Sequence, residues 1–409
     1  MRRAAVRRPV EKSEHDGMIR TGPGALAGMD RMKFAFAIVS LFPGGGLQRD
    51  CVDIARAVKC LGHEVTIFAS RVRDAGFFLG LDIVVLPNGA KTNHTRQKLF
   101  GLEVIEAVKD KYDMLVGFDK MHQLDVLYCA DQSVLMRIRR NIFFGFLTRY
   151  RAFTRLERAA FGRNRATQIF LLSNTQLREY AVAWKTPPER LHLISPTLSP
   201  ERRRPELRLD GTALRIRQAL GLNKDHWTWL SVMVQPDTKG LDRIIRALSE
   251  FPDAVLVIAG LNAGDRAVRS CLAMAKQQGV DGRIRWLGHR EDIPELMAAA
   301  DLLLHPARYD TTGTAILEAI VNGLPVVTTA ACGYAAHVDA SQGGLVLPQP
   351  FRQTTFVSAL RQARDEGLRR MWSLSAEEYG RNSLFYHGRD QLAADFVRLA
   401  EQKKSRACG

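Results

Sequence analysis

Long apolar runs are missing from this chain. Nowhere do about 20 apolar residues follow one another, the length that crosses a bilayer as a helix, so a helical integral membrane protein is excluded. Paired cysteines are missing as well. Cys51, Cys60, Cys129, Cys271, Cys332 and Cys408 are scattered with no C-x-x-C spacing, so neither a disulfide framework nor a zinc site is expected, and a reducing cytoplasm fits. No D-x-D triplet occurs, which removes the usual acidic pair for bridging a metal to a diphosphate; neither a metal nor a resident cofactor is expected. Residues 1–30 are basic with glycine and proline but lack the apolar core, about 7–15 residues long, of a secretory signal.

Acids are scarce relative to bases. Lys and Arg total 59 against 43 Asp and Glu, a formal net charge of +16, which points to an anionic partner: nucleic acid, an acidic membrane surface or phosphorylated substrates. Nine arginines against one acid, Glu157, lie between Met136 and Arg165 and supply +8 of it. Phe143, Leu147, Tyr150, Phe153, Leu156 and Ala160 recur there at helical spacing, beside a stripe of Arg151, Arg155 and Arg158. A basic amphipathic helix of this kind suits an anionic lipid surface, with Arg149, Arg151, Arg155 and Arg158 as the contacts. A core-packed helix with a solvated basic face accounts for the same pattern.

With 409 residues, 46% of them hydrophobic and 25% charged, the chain has ordinary globular composition and room for two domains. Short runs rich in Val, Ile, Leu and Phe predict strands at 34–39, 65–69, 83–86, 114–117, 126–129 and 169–172. After a Pro/Arg/Glu-rich stretch a second series follows at 228–232, 254–259, 284–287, 302–305, 325–328 and 344–347. Runs without polar alternation, separated by helical stretches, mark parallel strands buried on both faces. The expected architecture is α/β: two Rossmann-like, doubly wound domains facing across a cleft, with ligands outside the carboxyl ends of the strands. Residues 1–31 would be a disordered basic tail or a misassigned start. The first domain would cover 32–195, a linker 196–212, the second domain 213–375 and closing helices 376–409.

Three loops could carry chemistry. Phe42-Pro43-Gly44-Gly45-Gly46-Leu47-Gln48-Arg49-Asp50 follows the first strand. Its glycines let backbone approach a ligand at a helix start, though a tight turn explains them equally and the spacing is not G-x-G-x-x-G. Gln235-Pro236-Asp237-Thr238-Lys239-Gly240-Leu241 offers a cation at a helix start, weak evidence alone. The third loop, His305-Pro306-Ala307-Arg308-Tyr309-Asp310-Thr311-Thr312-Gly313, leads into Thr314-Ala315-Ile316-Leu317-Glu318-Ala319. It places Asp310 at a turn and Glu318 about two turns into an apolar helix, where a buried carboxylate needs a polar partner such as ribose hydroxyls.

Asp310-x7-Glu318, with Gly323-Leu324-Pro325-Val326 after it, resembles the E-x7-E signature of the family 4 retaining glycosyltransferases, which have the GT-B fold. Gly45–Asp50, Thr92-Asn93-His94, Gly117-Phe118-Asp119-Lys120-Met121, Leu124-Asp125-Val126, Thr148–Arg151, Glu295–Pro306 and Cys332-Gly333-Tyr334 are similar to the lipopolysaccharide core glucosyltransferase I family of Gram-negative bacteria. The resemblance runs from about Lys33 to Leu399. It implies transfer of a hexose from a nucleotide diphosphate sugar, UDP-glucose or a relative, to the inner-core heptose of lipopolysaccharide. The enzyme would then be peripheral on the cytoplasmic face of the inner membrane. Its partners would be the nucleotide sugar, a phosphorylated lipopolysaccharide core acceptor and the anionic membrane, with no nucleic acid.

By the same resemblance Glu318 binds ribose, Asp310 faces the donor sugar, and Lys239 holds the diphosphate with the backbone of Thr312 and Gly313. Gly45, Gly46 and Asp50 shape the site, with Asp50 a candidate proton acceptor. Asp310 stands where the family has Glu, Thr238 where it has Arg, and Met233 where it has Gly. A GT-B transferase of another donor and acceptor, a nucleotide-sugar epimerase, and a nucleic-acid-binding protein suggested by charge alone are the alternatives. The last lacks a recognition element and leaves the acidic pair unexplained.

Overall fold

The structure, a computed structural model, describes residues 31–43 and 45–408. The tail expected at 1–31 therefore lies almost entirely outside the described residues, as does Gly44. The described residues form two compact units: those from 31 to 171, from 176 to 194 and from 388 to 408 make one, and 172–175 with 195–387 make the other.

The first unit holds seven parallel strands: β1 (Lys33–Leu41), β2 (Glu64–Val72), β3 (Asp82–Val85), β4 (Met114–Gly117), β5 (Val126–Cys129), β6 (Gln168–Leu171) and β7 (Leu191–Leu193). Their order is β3-β2-β1-β4-β5-β6-β7. The second unit holds six: β8 (Trp227–Val232), β9 (Ala254–Ala259), β10 (Ile284–Trp286), β11 (Leu302–His305), β12 (Val326–Thr329) and β13 (Gly344–Leu347). These run in the order β10-β9-β8-β11-β12-β13, again with every pairing parallel. Every residue of β4, β5, β9, β11 and β12 is buried, whereas the edge strands β3, β7, β10 and β13 are partly open. That is why the central strands read as unbroken apolar runs. β7, three residues long with a histidine in the middle, gives no such signal.

In both sheets the strand order reverses at the first strand, between β1 and β4 and between β8 and β11. These reversals are topological switch points, where doubly wound sheets bind ligands. The loops after β1, β8 and β11 are the three that the sequence singles out.

The stretch 196–212 is not a free tether. Asn322 accepts from the Arg204 N–H at 2.6 Å and donates to the Arg202 carbonyl at 2.8 Å, docking the segment onto the second unit. The closing segment also divides. The helix Glu366–Tyr379 stays with the second unit, while the helix Gly388–Cys408 joins the first, where Phe396 meets Phe36 and Phe170 at ring-centroid distances of 6.2 and 5.2 Å. Among the described residues no helix is long and apolar enough to cross a membrane, and Cys51, Cys60, Cys129, Cys271 and Cys332 are free.

The basic segment is not one continuous helix. It comprises a short helix at Val134–Arg140, a 3-10 turn at Ile142–Phe146 and a helix at Thr148–Phe161. Only the end of the expected apolar stripe packs inward: Leu156 and Ala160 are buried, whereas Ile142, Phe143, Phe146 and Leu147 are 67%, 73%, 78% and 51% exposed. Glu157, the single acid of the segment, is fully buried.

Candidate active site

In the second unit the loop after β8 folds as one helical turn, Pro236–Lys239, and passes through Gly240 at φ 77° into the helix Leu241–Leu248. A side chain at Gly240 would place its Cβ 2.2 Å from the Pro306 carbonyl, so glycine is needed both for the left-handed backbone and for the close approach. That approach presses the β8 loop onto the end of β11. Arg243 donates to the Pro306 carbonyl at 2.9 Å, the Arg308 N–H donates to the Thr238 carbonyl at 2.8 Å, and the Arg308 guanidinium grips Asp242 through both nitrogens.

Lys239 thereby reaches Asp310. Its ammonium donates to Oδ2 of Asp310, and Nε2 of His305 lies 2.8 Å from the same oxygen. His305 is 1% exposed. Burial alone would push its pKa down, but the bond to Asp310 and the neighbouring Cys332 outweigh it and raise it to about 9. For Asp310 burial acts upward, yet His305 and Lys239 together hold its carboxyl well below the usual range. The result is a carboxylate anion between two cations, a compensated buried charge.

The turn after Asp310 is held by the Cys332-Gly333-Tyr334 segment. Gly333 N–H donates to the Asp310 carbonyl at 2.9 Å and Tyr334 N–H to the Thr312 carbonyl at 2.7 Å. Gly313, at φ 78°, caps the helix Thr314–Val321, every residue of which is buried except Thr314. Glu318 therefore sits just over one turn into the helix, nearer its N-terminus than the spacing alone suggested. It is buried, with Arg202 Nε 3.8 Å from Oε1. The free N–H groups of this helix start, the Lys239 ammonium and the Glu318 carboxylate suit a diphosphate next to a pair of hydroxyls.

In the first unit Gly45 caps the helix Gly46–Cys60, and Gln48 reaches back to the Ser40 carbonyl at 3.0 Å. Asp50, on that helix, accepts from the Tyr128 hydroxyl at 2.8 Å, and Arg389 lies 3.5 Å from its other oxygen. Burial raises its pKa against the pull of both. Asp119, just past β4, accepts from the Val39 N–H at 2.6 Å, and burial pushes its carboxyl up to about 6. In the sequence Asp119 stands out only as part of a motif and His305 only as a strand end that opens the third loop, neither with a role of its own. The signal for both was an ionisable residue at the carboxyl end of a buried strand.

The sequence model of the family described as glycosyl transferases group 1 matches residues 213–379. Lipopolysaccharide glucosyltransferase WaaG of Escherichia coli (strain K12) is 33% identical over 371 residues, 90% of this chain and 98% of the relative. The crystal structure of WaaG, a glycosyltransferase involved in lipopolysaccharide biosynthesis, superposes with a TM-score of 0.80 at 32% identity, covering 88% of this chain and 98% of that one. The Anabaena protein HepE, solved in complex with UDP-glucose, shares the fold at a TM-score of 0.70 and 19% identity, covering 90% of this chain and all of its own. A near full-length relative at this identity, with two parallel sheets built alike, shows that the chain belongs to the lipopolysaccharide core glucosyltransferase I family, within the family 4 glycosyltransferases of GT-B fold.

Proposed function

We propose that this glycosyltransferase moves a hexose from a UDP-sugar, UDP-glucose first among candidates, to the inner-core heptose of lipopolysaccharide with retention of the anomeric configuration. The observation that carries it is the Lys239–Asp310–His305 cluster at the switch point of the second sheet. Support for the donor comes from two proteins: WaaG is named a glucosyltransferase, and HepE was crystallised with UDP-glucose.

Breaking the bond between the sugar and the nucleotide gathers charge on the departing diphosphate. Lys239 would exchange its bond with Asp310 for one to that diphosphate, assisted by the N–H groups at Gly313 and the helix start beyond Thr312. Preorganised donors of this kind lower the barrier without reorganising during the reaction. His305 keeps Asp310 ionised when Lys239 leaves, so that its carboxylate can accept a hydroxyl of the donor sugar. Glu318 would hold the ribose hydroxyls. Gly45, Gly46 and Asp50 would line the acceptor side. No resident cofactor is required in this scheme.

The exposed Ile142, Phe143, Phe146 and Leu147 among the arginines support peripheral attachment to the cytoplasmic face of the inner membrane, where a phosphorylated glycolipid acceptor would lie. This patch carries both apolar side chains and charge, whereas a merely solvated basic face would show charge alone.

The test is transfer by the purified protein from a panel of labelled nucleotide sugars to a heptose-terminated core oligosaccharide, with the anomeric linkage read by NMR. Transfer from a UDP-hexose in the α configuration is expected. Failure with every UDP-hexose, or an inverted product, would overturn the proposal.

A further inference from the structure

The first unit contains a recess that the donor chemistry does not use. It has a volume of about 280 Å³, near the lower end of the ~300–1,000 Å³ typical of small-molecule sites. Lys120, Asp131, Arg137, Arg149, Tyr150 and Phe153 are on its wall. It opens where β4 and β5 end, on the ligand-binding side of the sheet.

One wall is rigid. The Lys120 ammonium, 4% exposed, donates to the Gln132 carbonyl at 2.9 Å and pairs with Glu157 at 3.2 Å. Glu157 also accepts from the Ser133 hydroxyl at 2.7 Å, the Val134 N–H at 2.7 Å and the Trp184 indole at 2.7 Å. A buried pair so fully hydrogen-bonded fixes the turn after β5, and it cancels the charge of Lys120 within the protein.

The other wall is cationic and aromatic. The Arg137 guanidinium lies 5.4 Å from the Phe144 ring centre and 5.6 Å from that of Tyr150, and those two rings stack 4.6 Å apart. The Arg149 guanidinium lies 5.8 Å from the Phe153 ring centre. Among the described residues no carboxylate forms an ion pair with Arg137 or Arg149. Ring faces hold both guanidiniums and leave their N–H groups to a ligand. Asp131 is the one uncompensated acid on the wall, so positive charge prevails.

We propose that this recess binds an anionic sugar unit of the acceptor, one bearing a carboxylate or a phosphate monoester, with the anion between Arg137 and Arg149 and the ring beside Tyr150 and Phe153. A planar guanidinium pairs with either anion through two parallel hydrogen bonds, and aromatic faces suit the apolar side of a sugar. The role as acceptor subsite rests on the proposed transfer to a saccharide, whereas the binding itself does not.

Saturation-transfer NMR on the full-length protein separates the two. The probes are glucose 6-phosphate, glucuronate, neutral glucose and glycerol 3-phosphate. At least one sugar anion is expected to bind roughly tenfold or more tighter than glucose, the scale of one charge-assisted pair. R137Q/R149Q should abolish that preference, while R137K/R149K retains part of it. UDP-glucose binding by both variants reports that they remain folded. Which sugar anion prevails decides between carboxylate and phosphate. Equal binding of glucose and both sugar anions would overturn the proposal, and so would glycerol 3-phosphate binding as well as glucose 6-phosphate. An unchanged anion preference in R137Q/R149Q would do the same. With the soluble core oligosaccharide, R137Q/R149Q should raise KM for the acceptor and leave kcat and the donor KM alone. Absence of all transfer by the wild type would sink the proposed function but leave the NMR result standing.

Discussion

Nε2 of His305, a side chain sealed from solvent, lies 2.8 Å from the Asp310 oxygen that also receives the Lys239 ammonium. One carboxylate oxygen thus joins the end of β11 to the loop after β8, and the cation proposed to meet the diphosphate is the same one that neutralises Asp310 here. Because the histidine is charged where it is buried, stability should depend on pH in a definite direction. Its pKa is raised to about 9 from an unfolded value of ~6.5, so its contribution is complete below ~6.5 and is lost as pH rises through about 9. At ~1.4 kcal/mol per pKa unit the loss is at most about 3 kcal/mol. Chemical denaturation from pH 6 to 10 should show the decline, and His305→Gln should flatten it. A wild-type stability rising over that range would refute the pairing.

Glu318→Ala should weaken UDP-sugar binding by about two orders of magnitude, the equivalent of ~3 kcal/mol for a lost charge-assisted pair of hydrogen bonds. The helix around it is apolar and packed, so circular dichroism should be unchanged. Calorimetry with UDP-glucose decides the matter; wild-type affinity in the variant would remove Glu318 from the ribose site.

Lys239→Ala should lower kcat roughly 10²- to 10³-fold, comparable to removal of one preorganised donor from a developing anion. The Asp310 carboxylate would keep His305 as its partner, so the fold should survive. Turnover should also persist in EDTA, since the chain has no D-x-D triplet and Lys239 is the cation proposed for the diphosphate. Loss on chelation that manganese or magnesium restores would contradict this.

Gly240→Ala should cost about 1–3 kcal/mol or more, because the residue sits at φ 77° and its new methyl would meet the Pro306 carbonyl at 2.2 Å. The strain falls on the link that carries Lys239 to Asp310, so a thermal melt and the donor KM should worsen together. A melt unchanged from wild type would mean the β8 loop does not press on β11 as described.

Replacing Arg151, Arg155 and Arg158 together by Gln should release the protein from anionic vesicles. Each arginine near such a surface contributes ~1 kcal/mol, screened within a Debye length of ~8 Å at physiological salt. Co-sedimentation at low and high salt measures it. Equal sedimentation of wild type and triple variant at low salt would reduce the segment to a solvated surface.

The sequence by itself determined the elements whose signal is local. Strands such as β4, β9 and β11 are buried on both faces, so apolar runs suffice to mark them, and the loops at their carboxyl ends announced themselves by Gly, Lys and Asp at chain reversals. β7 escaped because an edge strand of three residues needs no such run. The segment 143–160 read as one helix because spacing registers periodicity but not the break at Asn141–Leu147, which leaves Phe143 and Phe146 exposed. Only the tertiary structure decided which charges meet. Lys239 and Asp310 are 71 residues apart and meet because parallel strands bring distant loops to one end of a sheet; Lys120 and Glu157 are 37 apart and meet because the helix Thr148–Phe161 packs against the turn after β4. The return of the helix Gly388–Cys408 to the first unit is of the same kind: Phe396 finds Phe36 and Phe170 across most of the chain, a packing choice that no local pattern encodes.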